Sequence, residues 1–151
     1  MESAEAVQSP RVNQIMLRNI ITAPLGTTLG DAEGLMRVAH LRHLVVVKKG
    51  IVVGLVSHRA LMEASLARLR EELGAPDADI LRRITIDHLV SEEPLSIEPE
   101  GSLEAAARQM LALRLGCLPV AIASPRGPRL LGLLTEAGLL RAAYLPAAPR
   151  A

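Results

Sequence analysis

The sequence predicts a mixed α+β (α/β) fold in which two tandem β-α-β-β-α repeats pack in a pseudo-twofold arrangement. Three observations carry that prediction. Blocks of similar pattern recur at a nearly constant spacing. Each block alternates stretches of helical periodicity with short apolar runs that flank a turn. A unit of about 60 residues buries too little surface to be comfortable alone, so the two are expected to share a core.

The repetition is visible when the chain is aligned with itself. Val12-Asn13-Gln14-Ile15-Met16 lies over Ile86-Asp87-His88-Leu89-Val90, and Thr28-Leu29-Gly30-Asp31-Ala32 over Ser102-Leu103-Glu104-Ala105-Ala106, at an offset of 74 residues. His43-Leu44-Val45-Val46-Val47 lies over Cys117-Leu118-Pro119-Val120-Ala121 at the same offset. Ile51-Val52-Val53-Gly54-Leu55-Val56-Ser57 matches Arg129-Leu130-Leu131-Gly132-Leu133-Leu134-Thr135 at an offset of 78. Four additional residues therefore sit in the second hairpin, within Ser124-Pro125-Arg126-Gly127-Pro128.

In the first copy, Ile20 to Ala23 is a short strand, and Leu29, Ala32, Met36 and Ala39 recur at helical spacing. His43 to Val47 and Ile51 to Val56 flank Lys48-Lys49-Gly50, a hairpin with a glycine turn. A second helix carries Leu61, Leu66, Leu69 and Leu73 and stops at Gly74-Ala75-Pro76. Its leucine stripe serves either the repeat's own packing or a dimer seam. The second copy has a strand at Leu95 to Ile97, a helix with Leu103, Ala106, Met110 and Leu113, the longer hairpin, and a helix from about Glu136. The repeats are expected at residues 10–73 and 84–145, joined by a linker at 74–83, with 1–9 and 146–151 as flexible termini.

Composition narrows the function. The chain has 151 residues, 50% hydrophobic and 22% charged, which excludes wholesale disorder. Tyr144 is the single aromatic, so no stacking platform for single-stranded nucleic acid exists. A net charge of +1 gives no global field toward DNA or an anionic membrane. No apolar run approaches the roughly 18 residues of a membrane span. Met1 to Glu5 lacks the basic and apolar segments of a secretory signal, so a cytoplasmic location is expected. The lone Cys117 can form no internal disulfide.

With an apolar-Gly-apolar-apolar-Ser/Thr strand end in each copy, the chain resembles a stand-alone tandem pair of CBS domains, also called a Bateman module. The resemblance spans roughly residues 10 to 145 and rests on Arg42-His43-Leu44-Val45-Val46-Val47, Val53-Gly54-Leu55-Val56-Ser57-His58-Arg59, Gly116-Cys117-Leu118-Pro119-Val120 and Leu131-Gly132-Leu133-Leu134-Thr135-Glu136-Ala137. It implies a regulatory module with no resident cofactor. AMP, ADP, ATP or S-adenosylmethionine would bind as regulatory ligands in clefts between the repeats. It further implies a homodimer formed through the helices, and an unidentified regulated protein as partner.

By this resemblance, Ile20, Thr22, His43 and Val45 in copy one, and Pro94, Ser96, Cys117 and Pro119 in copy two, are the candidate cleft walls. Ser57 and Thr135 stand at strand-to-helix junctions, where a hydroxyl can cap the helix or donate to a phosphate beside the free amides. His58 and Arg59 open the helix after Ser57, and His40, Arg42 and Arg114 lie near the ends of the first helices. Such cations either grip an anion or are solvated. The family commonly places an acid three positions after each hydroxyl to accept from the ribose, but Ala60 and Gly138 stand there. A charge-assisted hydrogen bond is worth about 1.5–3 kcal/mol, or about ten- to a hundredfold in affinity. The expectation is thus an adenosyl sensor of weakened affinity; the alternative is a degenerate pair acting as a dimeric scaffold or interaction module.

Other chemistry finds little support. His40, His43, His58, His88 and Cys117 form no Cys-x-x-Cys or His-x-x-x-His motif, and two soft ligands without a third make a poor zinc site, so no metal is expected. There is no Walker-type glycine loop and no close acid pair, and Cys117 reads as a small interior hydrophobe, so no enzymatic activity is expected.

Overall fold

The first long helix of each repeat starts on the same device. Thr28 Oγ1 accepts the Asp31 N–H and Ser102 Oγ accepts the Ala105 N–H, both at 3.1 Å, which satisfies donors that a helix start leaves open. The structure is a computed structural model and describes residues 10–71, 82–91 and 95–145. After a short helix α1 (Val12–Ile15) and strand β1 (Thr22–Pro24), the capped helices are α2 (Leu29–Ala39) and α4 (Leu103–Leu113). Both end on a left-handed non-glycine residue, His40 and Arg114, each at φ 53°. They bury Leu29, Ala32 and Met36, and Ala106 and Met110, at helical spacing.

Two hairpins follow, β2 (His43–Lys48) with β3 (Ile51–Ser57), and β4 (Cys117–Ile122) with β5 (Arg129–Thr135). Their registers match: His43 faces Ser57 and Cys117 faces Thr135, with an irregularity after Val46 in one and after Val120 in the other. β1 runs parallel to β2 and begins at Thr22, so Ile20 lies outside the strand. The expected strand at Leu95 to Ile97 is reduced to one parallel bridge, Ile97 to Val120. The five strands form one sheet in the order β1-β2-β3-β5-β4, joined in its middle by the pairing of Ile51 with Arg129. Helices α3 (His58–Glu71) and α5 (Glu136–Tyr144) continue directly from β3 and β5.

The repeats exchange their leading segments. Val12 and Met16, at the start of the first copy, are buried with Ala106, Met110, Leu118 and Leu134 of the second. Ile86, with Ile84, Leu89 and Val90 against it, closes the core of the first copy around Leu29, Met36, Leu44 and Leu61. Leu17 and Leu133 exchange both backbone hydrogen bonds at 2.8 Å. At the equivalent point Ser91 donates its N–H to the Leu55 carbonyl at 3.2 Å, and Ser91 Oγ accepts the Leu55 N–H at 3.1 Å.

This exchange explains the mid-strand glycine of each copy. A Cβ on Gly132 would lie 2.6 Å from the Leu17 carbonyl oxygen, and one on Gly54 would lie 2.6 Å from Ser91 Oγ. Only glycine lets the crossing backbone come so near. A third apolar cluster joins Val45, Val52 and Leu55 of the first copy to Cys117, Ala121 and Leu133 of the second. No helix among the described residues is long and apolar enough to cross a membrane.

Candidate functional site

Each strand-to-helix junction carries a hydroxyl that caps the helix behind it. Ser57 Oγ accepts the Ala60 N–H and Thr135 Oγ1 accepts the Gly138 N–H, both at 3.0 Å. An accepting hydroxyl keeps its own proton free, so capping and donation to a ligand are compatible.

Three cavities with shared lining residues lie around Leu133 and Thr135 of β5. One of about 320 Å³ is lined by His40, Arg42, His43, Gly116, Cys117 and Thr135, among others. A second of about 180 Å³ is lined by Ile20, Ile21, His43, Val45 and Leu133. The third, about 520 Å³, is lined by Ile15, Leu17, Thr135, Gly138 and Arg141. His43 is shared by the first two, Thr135 by the first and third, and Leu17 by the second and third. The two larger volumes fall within the roughly 300–1,000 Å³ typical of small-molecule sites. The cleft thus joins the Ile20–Val45 wall of the first copy to the Thr135 junction of the second, because the exchanged lead-in carries Leu17 across to β5.

His43, half-buried, lines two of these cavities with Gly116 beside it, where a Cβ would make an ordinary contact of 3.6 Å with His43 Nδ1. Burial, assisted by the Arg42 charge, lowers the His43 pKa below the usual histidine value. The imidazole is therefore neutral at neutral pH and offers one donor and one acceptor to a ligand. Burial pushes the Cys117 thiol up to about 11, so it is protonated and weakly nucleophilic at neutral pH. Among the described residues no group of three His, Cys, Asp or Glu side chains converges as a metal centre needs.

The remaining candidates fall elsewhere. Thr22, Ser57, Ser96 and Pro119 do not line these three cavities, and Pro94 lies outside the described residues. Pro119 is buried, its carbonyl accepting the Ile97 N–H at 2.9 Å. His58 and Arg59 are exposed, and Arg59 pairs with Glu63 at 3.0 Å. Arg114 borders a further crevice of about 460 Å³ between α4 and α5, lined also by Leu111 and Leu140, which shares Arg42, His43, Gly116 and Glu136 with the first cavity. Ala60 is half-buried on the Ser57 side, and Gly138 leaves the wall of the third cavity without a side chain.

Leu17, Leu41 and Arg141, and Gly116 and Leu133 of the repeat motifs, were not named as site residues from the sequence, yet they line the cleft. The one sequence signal for Leu17 was the glycine at position 132 that faces it.

The family model described as "CBS domain" matches residues 12–67 and again 86–144. A CBS domain-containing protein of Dictyostelium discoideum is 28% identical over 130 residues, covering 85% of this chain and 88% of that one. Among solved structures, an acetoin utilization protein (AcuB) from Vibrio cholerae superposes with a TM-score of 0.70 at 25% identity, covering 89% of this chain and 90% of that one. CBSX2 in complex with AMP superposes with a TM-score of 0.70 at 26% identity, covering 88% and 95%.

Proposed function

The chain belongs to the CBS-domain family as a tandem pair, and from that premise we propose that it is a regulatory module which takes an adenosine-containing ligand in the cleft between its repeats. The observation that carries the proposal is the joining of His43 and Val45 of one copy to Thr135 and Gly138 of the other around adjoining cavities. The AMP complex of CBSX2, at 26% identity, supports the ligand class. In this reading the adenine lies against Ile20, Val45 and the neutral His43, since no aromatic ring is at hand. Phosphates or a sulfonium tail reach the Thr135 hydroxyl and the α5 amides. AMP, ADP, ATP and S-adenosylmethionine are the candidates, and occupancy would act on a partner by changing the angle between the copies. The protein carries no catalysis of its own in this reading and works in the cytoplasm.

Ala60 and Gly138 support a second reading, a pair that keeps the fold as a dimeric scaffold without nucleotide binding. Both readings include a homodimer formed through the helices. Met62 and Leu66 on α3 and their counterparts Leu140 and Tyr144 on α5, 78 residues on, leave a matched pair of apolar patches exposed. Thermal shift and calorimetry with AMP, ADP, ATP, S-adenosylmethionine and NADH separate the readings. A micromolar binder at millimolar ligand adds about 4 kcal/mol of stability. No shift with any of them leaves the scaffold.

A further inference from the structure

At the far end of the sheet from the cleft, a shallow hollow lies against the two hairpin tips. It measures about 440 Å³ and is lined by Lys48, Lys49, Ile51, Val53 and Arg126. Among the described residues no carboxylate lines it. We propose that this basic cleft binds a phosphate-bearing anion, independently of any ligand between the repeats.

Three observations converge on it. The first concerns the insertion. Arg126 belongs to the four residues that break the symmetry of the repeats, and their loop is built and not loose. Ser124 and Gly127 exchange backbone hydrogen bonds at 3.1 and 3.0 Å, and Ser124 Oγ donates to the Gly127 carbonyl at 2.6 Å. A Cβ on Gly127 would lie 3.0 Å from Ile51 Cγ2, so the loop is seated against the first hairpin. Backbone bonds from Val52 to Pro128 at 2.8 Å and from Leu130 to Gly50 at 3.0 Å fasten the two tips together. Arg126 is thereby held beside Lys48 and Lys49 from the other copy.

The second concerns Lys49. It sits at φ 50° ahead of Gly50 at φ 79°, a pair of left-handed residues for which Asn-Gly is the favoured sequence. A lysine there keeps a cation at the tip, at a position an asparagine would fill more readily.

The third concerns charge. Arg37, Arg59 and Arg108 each pair with a glutamate one turn away on their helices. Lys48, Lys49, Arg126 and Arg129, the last registered opposite Ile51, form no such pair among the described residues. In a chain of net charge +1 this is a local concentration, not part of a generally basic surface. Three cations on a shallow apolar floor suit a group bearing several phosphate oxygens.

The source of the phosphate, free or in a lipid headgroup, is separated by the probe. Inorganic tripolyphosphate is titrated calorimetrically, and phosphatidylcholine vesicles containing phosphatidic acid are tested by sedimentation, both at low salt. Wild type is expected to bind at least one probe, and a Lys48→Ser, Lys49→Asn, Arg126→Ser variant to lose at least about tenfold in affinity for it. Added salt should weaken the binding. Lys49→Asn alone should raise the melting temperature while lowering affinity, a combination that a structural role for the lysine would not produce. Gly138→Asp, which alters the cleft between the repeats, should leave tripolyphosphate binding unchanged. Failure to bind either probe, equal binding by the triple variant, or loss of binding in Gly138→Asp would each overturn the proposal.

Discussion

Gly132 to alanine is the sharpest perturbation of the intertwined fold. The added Cβ would lie 2.6 Å from the Leu17 carbonyl oxygen and 2.9 Å from Met16 Sδ. The methionine can swing away, but the carbonyl is backbone: it accepts the Leu133 N–H at 2.8 Å, while the Leu17 N–H donates to the Leu133 carbonyl at 2.8 Å. Overpacking of this kind costs about 1–3 kcal/mol, and weakening two hydrogen bonds adds about 1 kcal/mol each. The sum is about 3–5 kcal/mol. At about 2–4 °C per kcal/mol for a chain of this size, the melting temperature should fall by roughly 6–20 °C. Gly34→Ala is the control: it lies inside α2, with nothing within 4 Å of the new Cβ, and should stabilise by about 0.5–1 kcal/mol. Urea and thermal unfolding of both variants measure the difference. A Gly132→Ala protein within about 0.5 kcal/mol of wild type would refute the close crossing of Leu17 over β5.

Removing either junction hydroxyl, Ser57→Ala or Thr135→Ala, should cost about 1 kcal/mol through the lost cap, read by urea unfolding. Only Thr135→Ala should also weaken AMP binding, and equal weakening by Ser57→Ala would place the ligand elsewhere. His43 gives a pH signature. Its folded pKa lies below the unfolded value, so the unfolded chain takes up the proton first as pH falls. Stability should therefore decline as pH drops below about 6.5, and His43→Gln should flatten that decline in thermal melts between about pH 7 and 5. An unchanged slope would mean that His43 is not the group responsible.

Much of the fold was legible because it is periodic. The hairpins, the capped helices and the displaced loop at 124–128 all follow from local pattern and from the chain's likeness to itself. What local pattern could not carry is the exchange of lead-ins, which depends on contacts between residues such as Leu17 and Leu133, far apart in sequence. Its trace was present in Gly54 and Gly132, whose meaning appears only once the crossing backbone is seen. The leucine stripe of α3 divides: Leu61 is fully buried while Leu66 is 49% exposed, because α3 packs on α2 and β3 along one side only. Leu73 of that stripe and most of the linker lie outside the described residues.

The site was legible by position but not by partnership. His43 and Val45 could be named as wall residues of one copy, and Thr135 as a junction hydroxyl of the other. That His43 and Thr135 line one cavity, and His43 and Val45 the next, follows from the packing of the two copies on one another. Ile20 lines the cleft because β1 begins later than its apolar run suggests.

The central claim is that the cleft bordered by Thr135 and Gly138 takes an adenosine-containing ligand, and that the missing acids limit its affinity. Calorimetric titration of AMP into wild type and into the Ala60→Asp, Gly138→Asp variant tests it most directly. An aspartate at the third position of a helix suits the helix dipole, and the Thr135 hydroxyl, 3.2 Å from a Cβ on Gly138, has to shift by a few tenths of an ångström to admit it. The account predicts AMP affinity about ten- to a hundredfold higher in the variant. Identical affinity in the two proteins, or no binding by either, would contradict it.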